Sequence, residues 1–194
     1  MAATNEHTQS RVGAAGVEVT RAATGDRRPM AARLTTEQVW HQLAKGSFAV
    51  LSYVTPAGEP RSSGVLYKTI GRRLYIAVAP DSWKARHVAA SGRVAVTVPV
   101  RRGGLLSVVA PIPPATISFH ATAIVHPADS PQVHLLLKEL ASLLPAERRV
   151  SARILEVIPE GPFVTYGVGV PLAQLRDPAA AGAHVPVTQE GNAR

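Results

Sequence analysis

Three short runs, FAVLSYV, PRSSGVLYKTI and RLYIAVA, rich in Val, Ile, Leu and Tyr, follow one another from residue 48 to residue 79. Only PAGE (56–59) and a reversal at IGRR separate them. Short runs of such residues bounded by turn residues read as β-strands. Parallel neighbours need a crossover of about a dozen residues or more, so strands this close must be antiparallel hairpins. A βαβ architecture is therefore excluded for this part of the chain. Gly58 suits the first turn, because it adopts positive φ without a steric penalty.

The same reading extends in both directions. TTEQVWHQLAKG predicts a helix capped by Thr35 or Thr36, with Val39, Trp40 and Leu43 as its apolar stripe and Gly46 as its end. DSWKARHVAASG predicts a short helix after RLYIAVA, with Asp81 or Ser82 as N-cap. RVAVTVPV and ATISFHATAIVH (115–126) read as strands, SPQVHLLLKELASLL (130–144) as a helix, and VSARILEVIPE and GPFVTYGVGV as two last strands. Six or seven antiparallel strands with three helices predict a mainly β, α+β fold, a split β-barrel with flanking helices. Residues 34–176 form the expected barrel domain. Residues 1–33 lack an apolar period and are expected to be a flexible arm, and 177–194 a C-terminal tail.

The chain has no cysteine, which excludes disulfides, iron–sulfur clusters and cysteine-type zinc sites. Its seven histidines are scattered singly, without metal-ligand spacing. His120 and His126 lie six apart on one strand and so on one side, a pattern open to haem or metal ligation or to ordinary hydrogen-bonded strand histidines. No apolar stretch approaches the about 18 residues of a membrane span, and the N-terminus shows no signal-peptide core. The expectation is a cytoplasmic protein that does not bind membranes.

The net charge is +8, and residues 61–102 account for all of it, with nine Lys or Arg against Asp81. Such a field suits nucleic acid, a membrane surface or a phosphorylated ligand. The bases alternate with Val, Leu, Ile and Ala rather than with aromatics, and no recognition helix accompanies them, so nucleic acid is not the expected partner. Lys84 and Arg86 stand in the first turn of a helix. Cations are mildly unfavourable there, and a helix N-terminus is where a phosphate is held. Arg101 and Arg102 form either a loose loop or a hold for a longer anionic tail.

The order FAVLSYV, EPRSSGVLYK, RLYIAVA, DSWKARHVAASGRVAVTV and PPATISFHATAIV resembles the pyridoxamine-5′-phosphate-oxidase-like split barrels, which bind FMN or a deazaflavin. The resemblance covers about half of the chain. It implies that Lys84, in Ser82-Trp83-Lys84-Ala85, binds the flavin phosphate. It also implies that Ser63, Gly64, Val65, Leu66, Tyr67 and Lys68 line the ring and ribityl chain, and that Ala77 and Val78 make further contacts. Alternation puts Ser63, Val65 and Tyr67 on one strand face, and Ser62, Gly64, Leu66 and Lys68 on the other. Gly64 would let a flat ring approach the backbone. Trp83 stands where the family often has Arg, so Arg86 is the candidate second phosphate cation.

The vitamin-B6 oxidases proper carry a substrate-holding Arg and His near the C-terminus, and VTYGVGVPLAQLRDP has no such pair. Pyridoxamine phosphate is therefore not the expected substrate. The implied function is an FMN-dependent oxidoreductase acting on a small molecule, with a deazaflavin-dependent reductase or a non-catalytic flavin- or haem-binding protein as alternatives. No catalytic acid or base stands out. The resemblance also implies a homodimer with the cofactor at the interface. Composition supports it, since RVAVTVPV and FVTYGVGV carry more apolar surface than one small barrel encloses. Trp83 and AHVPV are the segments expected to reach across.

Overall fold

The computed structural model describes residues 34–102, 113–145 and 152–187. The expected arm, residues 1–33, lies outside them. Helix α1 (Thr36–Lys45) opens on a capping box in which Thr35 Oγ1 accepts from the Gln38 N–H at 3.3 Å and the Gln38 side chain accepts from the Thr35 N–H at 2.9 Å. Val39, Trp40 and Leu43 are buried, as the stripe required.

Eight strands follow: β1 (Phe48–Val54), β2 (Pro60–Leu66), β3 (Lys68–Ile70), β4 (Arg73–Val78), β5 (Arg93–Val100), β6 (Ala115–His126), β7 (Arg153–Tyr166) and β8 (Gly182–Pro186). All ladders are antiparallel, in the order β2-β1-β5-β6-β7-β4-β3, with β8 on β7. The first and last strands of that order are consecutive in the chain and joined through Tyr67 alone. PRSSGVLYKTI is thus one extended segment serving both edges: Pro60–Leu66 pair with β1, and Lys68–Ile70 with β4. Sharing this segment joins the two ends of the curled sheet, with β2 paired only to β1 and β3 only to β4 among the described residues.

Two details depart from the sequence reading. VSARILEVIPE and GPFVTYGVGV form one strand, β7, whose backbone turns at Gly161 (φ 62°). Its first half pairs with β4 and its second with β8, while β6 runs beside both. The stretch set apart as a C-terminal tail supplies a short helix, Pro178–Ala181, and the strand β8. Thr36 Oγ1 donates to the Pro186 carbonyl at 2.7 Å and ties β8 to α1.

The main core fills the barrel. Phe163 is fully buried and meets Trp40 and Phe119 edge-on, with ring centroids 5.4 and 5.3 Å apart. Helix α2 (Trp83–Ser91) links the end of β4 to the start of β5 and packs on β1 and β6. Helix α3 (Pro131–Glu139) lies on the outside of β4 and β7. There Val133, Leu137, Leu140, Ala152 and Ile154 form a second, smaller core, with Tyr75 and Ala77 against it.

Glu156, between Tyr75 and Ile124 in the sheet register, is a buried carboxylate. His126 Nε2–H donates to it at 2.6 Å, and Arg73 donates to its other oxygen. Burial by itself raises this carboxyl, but the hydrogen bonds from Arg73 and His126 outweigh it and hold the group below the usual glutamate range. A depressed carboxylate contributes stability that is complete above its unfolded value, about 4.3, and is lost as pH falls through the folded one. The gap in melting temperature between wild type and Glu156→Gln is therefore expected to narrow as pH drops below about 5. A gap that is flat from pH 7 to pH 3 would contradict this account.

Candidate functional site

The strand parity read from the sequence holds in the barrel. Val65, Tyr67 and Val78 belong to the main core, and Ser63 points the same way with its hydroxyl buried. Gly64, Leu66 and Lys68 face outward on the shared segment. Tyr75 and Ala77 also face outward, as their packing in the second core shows. β4 leaves this surface at Val78 and, after Ala79–Asp81, enters α2 through Ser82. Lys68 and Ala77 thus lie on the outer face of β3 and β4, a strip from which the chain runs on through Ala79–Asp81 to Ser82 and Lys84 at the start of α2.

At the head of the strip Ser82 is the N-cap of α2, yet its side chain makes no capping bond. Ser130 of α3 does not cap either, so this feature alone marks nothing. What distinguishes α2 is Lys84. It is half-buried, and among the described residues no acidic group pairs with it. Burial pushes its ammonium below the usual lysine range. A desolvated cation beside first-turn N–H groups suits a phosphate.

The other candidates divide. Arg86 does not join Lys84: two residues on, it points to another side of the helix, its guanidinium 3.8 Å from the Trp83 ring centroid and Nη2 donating to the Asp81 carbonyl at 3.3 Å. Trp83 is 68 % exposed, with His87 at 6.0 Å. Tyr67 is wholly buried, donating to the Leu43 carbonyl at 2.7 Å, and burial raises its hydroxyl far above the usual tyrosine range. Its ring is core, not a stacking surface. Gly64 does accommodate a close ring, but that ring is Phe48 on β1: a Cβ at Gly64 would stand 2.9 Å from it. Lys68 is engaged by Glu139 of α3, to whose carboxylate it donates at 2.8 Å and to whose carbonyl it donates at 3.0 Å. Nothing in the sequence signalled this partner, which is 71 residues away.

The histidines and the remaining arginines are equally separated. His120 is exposed over Gly161, while His126 is bound to Glu156. Six strand residues put them about 20 Å apart, too far to share an ion. Among the described residues no cluster of three metal-ligating side chains occurs. Arg102 donates to the Val170 carbonyl, at the far end of β5 from α2, a strand about 23 Å long.

No family model matches the chain, and neither does any curated protein. Solved structures do. The chain is similar to the haem storage protein HutZ of Vibrio cholerae, with TM-score 0.56, 14 % identity, and 70 % of this chain and 96 % of that one covered. It is similar to an FAD-binding protein of Mesorhizobium loti, with TM-score 0.52, 15 % identity, and 66 % and 89 % covered. It also matches a haem-binding protein of Mycobacterium smegmatis, with TM-score 0.54, 16 % identity, and 72 % of this chain but 55 % of that one covered. The likeness is one of fold, a split β-barrel with flanking helices. In this split barrel the shared segment Pro60–Ile70 and the β4–α2 junction carry the outward strip. No helix among the described residues is long and apolar enough to cross a membrane.

Proposed function

We propose that this split barrel binds FMN along the outer strip and acts as a flavin-dependent oxidoreductase on a small molecule. The observation that carries the reading is Lys84, a half-buried cation without an acidic partner among the described residues, at the start of α2. Ser82 and the first-turn N–H groups complete a phosphate cradle, and Ala77 and Lys68 lie along the way to the ring. When bound, the flavin supplies hydride and electron transfer, while the chain supplies binding, orientation and electrostatics. Yellow protein as purified, or quenching of FMN fluorescence on titration, is the expected result. A colourless protein that binds added deazaflavin but not FMN would transfer the site to the alternative cofactor. That alternative gains little from Arg101 and Arg102, which stand at the other end of β5 from α2.

A haem-binding reading has its own support: two of the similar structures are haem proteins, and His120 is exposed on the sheet face. It expects a Soret band on haem addition that His120→Ala removes and His126→Ala leaves.

The proposal includes a homodimer. Phe48, Leu66, Val164 and Tyr166 all face outward and are 46, 47, 43 and 42 % exposed. Together they make an apolar sheet face of the kind that a two-fold partner covers. Light scattering at low micromolar concentration should give twice the 20.4 kDa of the chain. A 20.4 kDa species that still holds FMN would overturn both the dimer and a site shared across it.

A further inference from the structure

The outward strip is half covered by its own chain. Helix α3 rests on Tyr75 and Ala77 through the small second core, and Glu139 at its last turn takes Lys68. Lys68 binds that residue twice, through the carboxylate and through the backbone carbonyl, so its ammonium also meets the negative end of the α3 dipole. Lys68 and Ala77 are two of the residues on which the flavin reading rests, and α3 occupies both.

The way α3 is held differs from the way the barrel is held. Among the described residues its small core forms a cluster separate from the larger one of the barrel interior. Leu135, in mid-helix, is 66 % exposed. The Lys68–Glu139 pair is itself open to solvent, with side chains 41 and 59 % exposed. Elements with few buried apolar contacts and solvent-exposed fastenings open locally, well below the free energy of global unfolding. An exposed ion pair contributes little to holding such an element, yet its acid competes directly with any anion for the same lysine.

We propose that α3 is a lid over the lower half of the strip, and that the Glu139 carboxylate stands on Lys68 in place of a bound ligand. This rests on the flavin reading for the identity of the ligand, but not for the mobility of the lid. Opening α3 frees Lys68 and uncovers Ala77, and a flavin ring and α3 then exclude one another at that surface. Glu139 acts as a built-in competitor and sets how readily the site accepts its ligand.

Two measurements test it. The first is hydrogen exchange on wild-type protein without flavin. Backbone amides of residues 132–139 should exchange at least about tenfold faster than those in the centres of β5 and β6, as a locally opening unit does. Equal protection of α3 and the barrel strands would overturn the lid. The second is FMN titration of Glu139→Ala and Glu139→Gln. Removing an exposed competing carboxylate should tighten binding about two- to fivefold, and FMN should speed exchange in α3 of the wild type. Unchanged affinity in both variants, with α3 protection unaffected by FMN, would overturn the role of Glu139. If wild type binds no FMN while α3 exchanges fast, the flavin reading falls and the lid stands.

Discussion

Replacing Lys84 by alanine is expected to weaken FMN binding by roughly tenfold to more than a hundredfold, corresponding to the about 1.5–3 kcal/mol of a hydrogen bond to a charged group. The effect belongs to the phosphate alone. Riboflavin, which lacks it, should bind wild type and Lys84→Ala equally. Burial already holds the Lys84 ammonium below the usual lysine range, so its charge is the more readily lost in alkali. Affinity for FMN should therefore be steady near neutrality and fall as pH rises, beginning below the ordinary lysine value of about 10.4, whereas riboflavin affinity should not follow. Arg86 is no substitute, since its guanidinium lies on Trp83. If Lys84→Ala holds FMN as tightly as wild type, the start of α2 is not the phosphate site.

Phe163→Ala should cost about 3–5 kcal/mol of folding free energy, the range for emptying a large aromatic from a packed core. Phe163 is fully buried and joins Trp40 of α1 to Phe119 of β6 through two edge-on contacts. Edge-on aromatic pairs add stabilisation beyond their buried area, so the upper part of that range is expected. Against a total stability of about 5–15 kcal/mol this is a large fraction, and the melting temperature should drop by roughly 6–20 °C. Phe163→Leu should lose much less, because most of the volume is kept. Phe163 packs inside the core against Trp40 of α1, whereas Lys84 belongs to α2. Variant protein that remains folded should therefore keep wild-type FMN affinity. A drop of under about 3 °C would mean that α1 is not docked through this aromatic row.

Local order was legible wherever it has a local cause. The helix 36–45 follows from Thr35, Gln38 and one apolar stripe, and the meander follows from short apolar-rich runs, turn residues and connections too short for a crossover. The division of residues 63–68 between two faces needed only the period of two, but that the Tyr67 face is the inward one came from the tertiary structure. Register between distant strands carries no such local signal. That is why β7 read as two strands, β8 as tail, and the shared segment Pro60–Ile70 as one ordinary strand rather than the closure of the barrel.

Charge shows the same boundary most clearly. The sequence by itself determined that nine cations crowd residues 61–102 and that one pair opens a helix. It did not determine which of them are free. Folding brings Glu139 to Lys68, Glu37 to Arg72 and Glu156 to Arg73 across 71, 35 and 83 residues, while Arg61 meets Glu59 within its own turn. Arg86 turns onto an indole. What remains at the head of the strip is Lys84, desolvated and without an acid among the described residues. Ion pairing acts over a few ångströms of space, and distance along the chain says nothing about distance across a closed barrel. Only the tertiary structure could separate the cations without an acidic partner among the described residues from those the protein neutralises itself.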